Sequence, residues 1–442
     1  MRAVVVSRGR RIDGLGEPVE EAMFAHTTVG AFVTAACEAN GLSVSRPGEG
    51  AVPDDGDLLV LPADLFITST LVGALLAAAA AAGPGVHRLA LRRTASVDHL
   101  LPLQDVTVEP LTEEERARAP AGRLAAEERA ATEKVLYDAY VCLGAPAGVL
   151  DAGVLDRLRA MAKPLLVDKK ELAIDVRLPL LPLQGTEPPR MRFPVTSSVA
   201  AHLRSWVHVL WLNQVAPAVL LNLGLRQRAV STLFRILAGL SFRREAVLQK
   251  LSVIHPSARI HPTAYVEASL IGPGAVVGAR ASVRESIIAE GAEVGDHSTV
   301  LMSTVGVRGY IVPKTFLLWC CVYPEAVVGN QKLQVSLVGR GAHVNAWAGF
   351  IDARFQGGVK VELDGKLVDT GRSFLGSCVG HGAQVAAKVL IHPGRVVPAG
   401  AVVVMRPDEV ISTIPPDLPP GVPMVRDHGT VVPMASLKAK SG

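Results

Sequence analysis

Aliphatic residues recur every six positions through most of the second half of this chain. Glycine, alanine or proline often follows, as in Ile271-Gly272-Pro273. In the early coils every third interval is one residue short, so equivalent positions return after 17 residues. The recurring residues are Ile254, Ile260, Val266, Ile271, Val277, Val283, Ile288, Val294, Val300, Val305, Ile311, Leu317, Val322, Val328 and, after an interruption, Val379, Val385, Ile391, Val397 and Val403. This repeat predicts three short strands per coil, stacked as a parallel β-helix over residues 251–408.

Packing explains the spacing. One aliphatic side chain from each flat face points into a narrow prism and stacks on its counterpart one coil away, about 4.8 Å along the axis. The small residue after it lets the chain turn without a clash. Because the interior is filled by Val, Ile and Leu, any functional site has to lie at the variable corners.

Composition limits the partners and the compartment. The 442 residues suggest two or three domains, and the net charge of +4 comes without a dense basic tract. A nucleic-acid partner is therefore not expected. The five cysteines have no regular spacing, and no cationic leader followed by an apolar stretch opens the chain. We therefore expect a cytoplasmic protein with reduced thiols.

The first 195 residues alternate between buried strands and helices, which predicts an α/β domain. The clearest strands lie at 3–6 and 57–63, and the clearest helices at 28–40 and 70–82. A proline-rich stretch at 178–194 is interpreted as a linker or crossover. Residues 196–250 are predicted to form a helical connector, and residues 409–442 an extended tail.

Residues 206–223 have nearly the length of a membrane span. Several polar residues interrupt this stretch, among them His208 and Asn213, and such side chains are costly in lipid. A packed helix of a soluble protein is the favoured interpretation, with an interfacial helix and a true span as alternatives. The arginines of residues 226–244 leave a peripheral membrane contact open.

The repeat breaks over residues 351–374. Alternating residues around Asp364-Gly365 predict a β-hairpin. We expect this insertion to protrude from one corner of the rod and to build a binding face.

The α/β half, the connector and the rod together resemble the two-domain sugar nucleotidyltransferase and hexapeptide-repeat acyltransferase family, which includes the bifunctional GlcNAc-1-phosphate uridylyltransferase/glucosamine-1-phosphate acetyltransferase. The resemblance implies left-handed coils, an exception to the usual right-handed crossover. It also implies a homotrimer that takes acyl-CoA as co-substrate and a sugar or nucleotide-sugar as acceptor.

The resemblance is weaker in the first half. The segment Val60-Leu61-Pro62-Ala63-Asp64 is similar to the family's strand that ends in a Mg²⁺-binding aspartate, and a carboxylate is a suitable ligand for that ion. However, residues 6–14 lack the family's closely spaced glycines, and the phosphate-binding lysine has no counterpart at 18–21. The domain is therefore interpreted as degenerate, with Mg²⁺ expected at Asp64 only if it is active.

Acyl transfer needs a base for the acceptor's proton, and histidine suits that role near neutral pH. Val379-Gly380-His381 resembles the triplet that carries the base in β-helix acyltransferases, so His381 is the first candidate and His343 the second. The family places an acidic residue against this histidine. Here the candidates are an adjacent subunit or the insertion residues Asp352, Asp364 and Asp369. The other rod histidines are interpreted as structural: His255, His261, His297 and His392.

Three further functions remain open at this point. One is sugar-phosphate nucleotidyl transfer with a structural rod, and another is a non-catalytic trimeric scaffold. A third is zinc chemistry with histidines shared between subunits, which the scattered histidines do not favour. Cys378 lies near His381 and is interpreted as a core residue, with a reactive thiol as the alternative.

Overall fold

The computed structural model describes residues 1–46, 56–120, 126–144, 153–177, 190–227 and 249–438. The predicted linker at 178–194 and the basic stretch at 226–244 therefore lie largely outside the described residues. Strands of the first half are β1 Arg2–Val6, β2 Met23–Phe24, β3 Thr27–Thr28, β4 Ser43–Ser45, β5 Leu58–Pro62, β6 Leu65–Ile67, β7 Gly85–Arg92, β8 Thr107–Pro110, β9 Glu133–Leu143, β10 Lys163–Leu166, β11 Glu171–Arg177, β12 Arg190–Thr196 and β13 Ala200–His202. Its helices are α1 Val29–Glu38, α2 Ser69–Ala82, α3 Ala95–Leu100, α4 Glu113–Ala117, α5 Ala126–Ala130, α6 Val154–Met161 and α7 Trp206–Gln227.

The first half is the predicted α/β domain. Its main sheet has the strand order β10-β7-β9-β5-β1-β4, and β8 pairs with β9. Among the described strands of this sheet only β9 interrupts the parallel arrangement, because it runs antiparallel to β5, β7 and β8. The carboxyl ends of β1, β5, β7 and β10 therefore meet at one edge of the sheet, the edge at which open α/β sheets usually bind ligands.

The second half is a rod of stacked coils with three faces. Face A contains Val253–Ile254, Leu270–Ile271, Ile287–Ile288, Thr304–Val305, Cys321–Val322, Leu337–Val338, Cys378–Val379 and Val396–Val397. Face B contains Arg259–Ile260, Val276–Val277, Glu293–Val294, Tyr310–Ile311, Val327–Val328, His343–Val344, Gln384–Val385 and Val402–Val403. Face C contains Tyr265–Glu267, Ser282–Arg284, Thr299–Leu301, Phe316–Leu318 and Leu333–Gln334, followed by the separate pair Gly349–Phe350 and Leu390–Ile391.

The recurring aliphatics fill the interior of this rod. Adjacent coils pair in parallel with the 17-residue register, as in Ile271 with Ile288. Most of the repeated residues are completely buried. Ile254 is an exception at 45% exposed, because it belongs to the first described coil and has a stacked neighbour on one side only. The sequence prediction of a left-handed parallel β-helix behind an α/β domain is confirmed.

Face A is covered by the α/β domain. Its outward residues are apolar or small and are buried: Ile287, Thr304, Cys321, Leu337 and Cys378. They pack with α7, whose Gln214 donates a hydrogen bond to the carbonyl oxygen of Trp319 at 3.2 Å. Face A and the first domain thus share one hydrophobic core.

Helix α7 is long and apolar enough to cross a membrane, but residues 205–217 are buried inside the fold. Its Asn213 accepts a hydrogen bond from the Ala25 N–H and donates one to the Met23 carbonyl, both at 2.8 Å. Asn213, one of the polar residues that interrupt the apolar run, therefore satisfies buried backbone groups of the α/β domain.

The insertion forms the hairpin Lys360–Leu363 with Lys366–Asp369. The predicted hairpin is present, and one of its sides is covered, because Val361 and Leu363 are buried. The tip binds the α/β domain: the Asp364 N–H donates to Asp13 at 2.7 Å, and Arg204 donates to the Asp364 carboxylate at 2.6 Å.

The tail differs from expectation, because it is not extended throughout. It contains the antiparallel pair Met424–Asp427 and Thr430–Pro433, followed by a helix at Met434–Lys438. The chain reverses direction between these two strands at Gly429, whose φ of 80° lies in the left-handed region that glycine adopts readily.

Candidate active site

One corner of the rod, between faces A and B, carries the candidate site. At the first position of this corner successive coils have Gly306, Tyr323, Gly339 and Gly380. The two glycines that follow Tyr323 are required by close stacking: a Cβ on Gly339 would lie 2.7 Å from the Gly380 carbonyl carbon and 2.9 Å from His381 Nδ1. This glycine surface lets the Tyr323 ring approach the His381 ring, with centroids 5.3 Å apart.

The α/β domain supplies the third side chain, Glu17. Its loop is fixed by a hydrogen bond from the Ile12 N–H to the Glu17 carbonyl oxygen at 2.9 Å. The Tyr323 hydroxyl donates to Glu17 Oε1 at 2.6 Å and accepts from the Met23 N–H at 3.0 Å. Tyr323 is completely buried, so its hydroxyl joins the two halves of the chain through polar contacts that water does not reach.

His381 lies against the second oxygen of the same carboxylate. Its Nε2 is 3.2 Å from Glu17 Oε2, and its Nδ1 accepts a hydrogen bond from the Arg340 N–H at 2.9 Å. A nitrogen that accepts a hydrogen bond cannot carry the proton, so the neutral imidazole has its hydrogen on Nε2, facing Glu17. The basic nitrogen is therefore Nδ1, and the side chain is 24% exposed.

Burial sets the ionisation of the neighbouring groups. It raises the pKa of Tyr323 well above its usual value, and the negative charge of Glu17 adds to that effect. Burial and Glu17 also raise the pKa of the Cys378 thiol. Cys378 is therefore a neutral core residue, and the alternative of a reactive thiol is not supported.

The arrangement can orient an imidazole for proton transfer. Glu17 Oε2 lies beside Nε2 but does not have the geometry of a hydrogen bond with it, and its negative charge would stabilise an imidazolium formed by protonation at Nδ1. In the conformation described, the Nδ1 lone pair points at the Arg340 amide. His381 can accept a substrate proton only when that contact opens.

The other candidate residues lie apart from this group. His343 is exposed on face B, one coil away and three residues after Arg340. None of the three insertion aspartates contacts His381: Asp352 lies 3.4 Å from Lys332, Asp364 binds Arg204, and Asp369 accepts from the Gly371 N–H.

Asp64 follows β5 at the carboxyl edge of the sheet and is buried. Its Oδ2 accepts a hydrogen bond from Arg10 at 2.7 Å, and His202 Nδ1 lies 3.8 Å away. Burial alone would raise the pKa of Asp64, but His202, Arg10 and Arg8 together lower it. The carboxylate is thus ionised and already neutralised by arginine.

This environment does not fit Mg²⁺. The ion usually needs several oxygen ligands in octahedral geometry, and a guanidinium beside the carboxylate repels it. Asp64 Oδ1 is buried without a hydrogen-bond partner, which leaves one ligand atom at most from this residue. Among the residues that the structure describes, no three His, Cys, Asp or Glu side chains form a metal-binding group.

Sequence reasoning missed Glu17 and Tyr323. Glu17 could not be found, because nothing in its local sequence indicates which part of the rod it meets. Tyr323 did leave a signal: it stands at a corner position that is glycine or alanine in the neighbouring coils, such as Ala289, Gly306 and Gly339. A large polar side chain at such a position indicates a contact outside the rod.

These features define the class of the rod as a hexapeptide-repeat β-helix. Residues 248–337 match the family described as GMPPB C-terminal domain. The match confirms the predicted resemblance to the nucleotidyltransferase and hexapeptide-repeat class for this part of the chain. No curated protein sequence matches the chain.

Two solved structures are similar at low identity. The acetyltransferase domain of PglB from Neisseria gonorrhoeae FA1090 is 18% identical, with 47% of this chain and 66% of that chain covered and a TM-score of 0.15. The match thus spans just under two thirds of that chain. A hexapeptide transferase family protein from Anaplasma phagocytophilum is 17% identical, with 34% and 72% covered and a TM-score of 0.17. At these TM-scores the fold assignment rests on the stacked coils themselves.

Proposed function

We propose that this chain is an acyltransferase of the hexapeptide-repeat class, which moves an acyl group from CoA or an acyl carrier to a sugar or nucleotide-sugar. The observation that carries the proposal is the pair formed by His381 and Glu17 at a corner of the rod. A histidine oriented by a carboxylate is the group that such a reaction needs as its base. The resemblance of Val379-Gly380-His381 to the family's triplet supports the same role.

The proton balance follows from the tautomer. The acceptor hydroxyl or amine replaces the Arg340 N–H at His381 Nδ1 and gives up its proton there as its oxygen or nitrogen attacks the thioester carbon. The negative charge of Glu17, 3.2 Å from Nε2, stabilises the imidazolium. When the C–S bond breaks, the leaving thiolate takes the proton from Nδ1, so the products are the acylated acceptor and a free thiol. The Arg340 N–H, released from Nδ1, is a donor for the oxyanion.

The test is thiol release from acyl-CoA with sugar-phosphate and nucleotide-sugar acceptors. We expect His381→Asn to lower kcat by about 10²-fold or more, the typical contribution of a general base. Glu17→Gln should lower it less. His297→Asn is the matched control, because His297 is an exposed corner histidine with a φ of 60° that asparagine tolerates.

Wild-type turnover in His381→Asn would overturn the proposal. A loss of stability in that variant with unchanged kcat would show that His381, Glu17 and Tyr323 only join the two halves.

The proposal includes a cytoplasmic homotrimer, as the resemblance implies. The trimer is supported by exposed apolar residues near the carboxyl end of the rod, among them Trp347 at 62% and Leu390 at 68% exposed. Exposed apolar clusters of this kind favour association. Light scattering should give three times the chain mass of 46.5 kDa, and Trp347→Ser with Leu390→Ser should reduce it. A wild-type mass of one chain would contradict the trimer.

A further inference from the structure

A cavity of about 380 Å³ lies between the α/β domain and the rod. Helices α3 and α7 and strand β12 form one side of it, while rod residues and the base of the hairpin form the other. On the rod the cavity lies at Trp319, which precedes the face A strand Cys321–Val322, whereas Tyr323 follows that strand. Neither Asp64 nor His381 lines this cavity, so it is a site distinct from both.

Aromatic side chains form part of its wall. Trp211 comes from α7, Trp319 from a corner of the rod, and Phe374 from the base of the insertion. The Trp319 and Phe374 rings meet edge to face, with centroids 6.0 Å apart. Trp211 and Trp319 are 3% and 2% exposed and Phe374 is 8% exposed, so these rings meet the cavity by their edges, against which a planar ring can pack edge to face.

The same cavity is rich in positive charge. Arg190, Arg192 and Arg372 line it, against one acidic residue, Asp98. Asp98 already accepts from Arg93 at 2.6 Å, and Arg192 donates to Glu127. Arg372 lies over the Trp211 ring at 5.8 Å and donates from one nitrogen to the Asp98 carbonyl oxygen at 2.9 Å. A guanidinium has five N–H donors, so Arg372 retains donors for an anion.

His99 gives an independent indication of a ligand. It lines the cavity, is only 3% exposed, and neither ring nitrogen makes a hydrogen bond of normal geometry with the described residues. Gln214 and the Trp211 backbone are the polar groups beside it. A buried polar side chain usually finds a partner, but both ring nitrogens are sealed from the cavity in this conformation, so a bound molecule reaches them only when the ring turns.

We propose that this cavity binds a phosphorylated compound with a flat heteroaromatic ring. The ring packs edge to face against the aromatic side chains, the phosphate binds Arg190 and Arg372, and His99 turns to contact a polar edge of the ring. The volume lies within the range of small-molecule sites. The cavity does not include His381, and the binding measurements below do not depend on acyl transfer.

This chemistry has two sources: free nucleotides, and the 3′-phosphorylated adenosine diphosphate end of coenzyme A. Calorimetric titration of the full chain with AMP, UMP and adenosine 3′,5′-bisphosphate distinguishes them. Preference for the bisphosphate by tenfold or more assigns the coenzyme end, and comparable affinity for AMP or UMP assigns free nucleotides. Adenosine lacks the charge and inorganic phosphate lacks the ring, so each should bind at least tenfold more weakly than the preferred nucleotide.

Arg190→Glu tests the location. Arg190 is exposed at the cavity, so its replacement should leave the fold intact. We expect at least tenfold weaker binding of the preferred nucleotide. Arg259→Glu is the matched control, because it makes the same change in net charge at an exposed position on face B. Its affinity should equal that of the wild type.

Quenching of tryptophan fluorescence gives a second readout, since two of the four tryptophans line the cavity. The proposal is overturned if no nucleotide binds at millimolar concentration. It is also overturned if phosphate alone binds as well as the nucleotides, or if Arg190→Glu and Arg259→Glu weaken binding equally.

Discussion

The Tyr323 hydroxyl joins the rod to the α/β domain through two hydrogen bonds. It donates to Glu17 and accepts from the Met23 N–H, and both contacts are buried. Tyr323→Phe leaves both partners unsatisfied, which typically costs about 1–3 kcal/mol for each buried group. We therefore expect a lower free energy of unfolding in urea.

Tyr310→Phe is the control for this change. Tyr310 stands on the outer side of face B and is partly exposed. Loss of its hydroxyl should change the free energy of unfolding by about 0.5 kcal/mol at most. Equal stability of the Tyr323 and Tyr310 variants would contradict the importance of the junction contacts.

His99 also predicts a dependence of stability on pH. Burial lowers the pKa of His99 to about 3, and the Arg372 charge adds to this. The unfolded chain binds a proton near pH 6.5 whereas the folded chain does not. Stability from this residue is therefore complete above pH 6.5 and is lost as the pH falls towards 3, by about 2 kcal/mol between pH 7 and pH 5.

The variant His99→Gln should remove that part of the pH dependence. The measurement is the free energy of unfolding at pH 7 and pH 5 for both proteins. His428→Gln, in the exposed turn of the tail, should keep the wild-type difference. A wild-type difference in His99→Gln as well would show that His99 is not responsible.

At the residue scale the sequence could identify His381 as a candidate base but not its environment. The triplet around His381 is local, so one sequence suffices to propose it. Glu17 lies more than 300 residues before His381, and the hydrogen bond between the Met23 N–H and the Tyr323 hydroxyl spans 300 residues. Contacts of this kind depend on how two domains pack, which no periodicity encodes.

At the scale of the elements, the corner glycines control how closely coils stack. A Cβ on Gly339 would lie 2.7 Å from backbone atoms of the next coil, whereas one on Gly329 would meet nothing closer than 3.5 Å. We expect Gly339→Ala to destabilise the protein by about 1–3 kcal/mol through overpacking. It should also displace His381 and lower any acyl-transfer activity.

Gly329→Ala is the matched control variant, since a Cβ at Gly329 would make contacts at normal van der Waals distances. Thermal unfolding should separate the two variants clearly. Similar unfolding temperatures would mean that the coils shift to accept a methyl group, and that the approach at Gly339 is not required.

The rod was predictable because each coil repeats the same local packing rule, so the signal adds up over many coils. The covering of face A was also encoded, although less directly. Its outward positions hold residues such as Ile287, Leu337 and Cys378, whereas face B holds Arg259, Glu293 and others. An apolar outer face predicts a partner, but the residues alone do not say that the partner is α7.

For the whole molecule, the tip of the hairpin matters because it contacts the α/β domain through Asp364. Asp13 accepts from the Asp364 N–H, and the exposed Arg204 pair adds little. In Asp13→Ala we expect faster hydrogen exchange over residues 360–369, because the tip loses its charged acceptor. Asp105→Ala, on an exposed loop, should leave that exchange unchanged. Unchanged exchange in Asp13→Ala would show that Val361 and Leu363 alone hold the hairpin.

The packing of the α/β domain against the rod also affects the reactivity of the cysteines. All five thiols, at Cys37, Cys142, Cys320, Cys321 and Cys378, are unbridged and sealed from solvent. Burial raises the pKa of Cys37 to about 11 and also raises the pKa values of Cys320, Cys321 and Cys378, so these thiols are scarcely ionised at neutral pH. An alkylating reagent can therefore label the native protein only through opening events. The labelling rate of each cysteine then reports how often its surroundings open. For Cys321 and Cys378 it reports how often face A separates from the α/β domain that covers it.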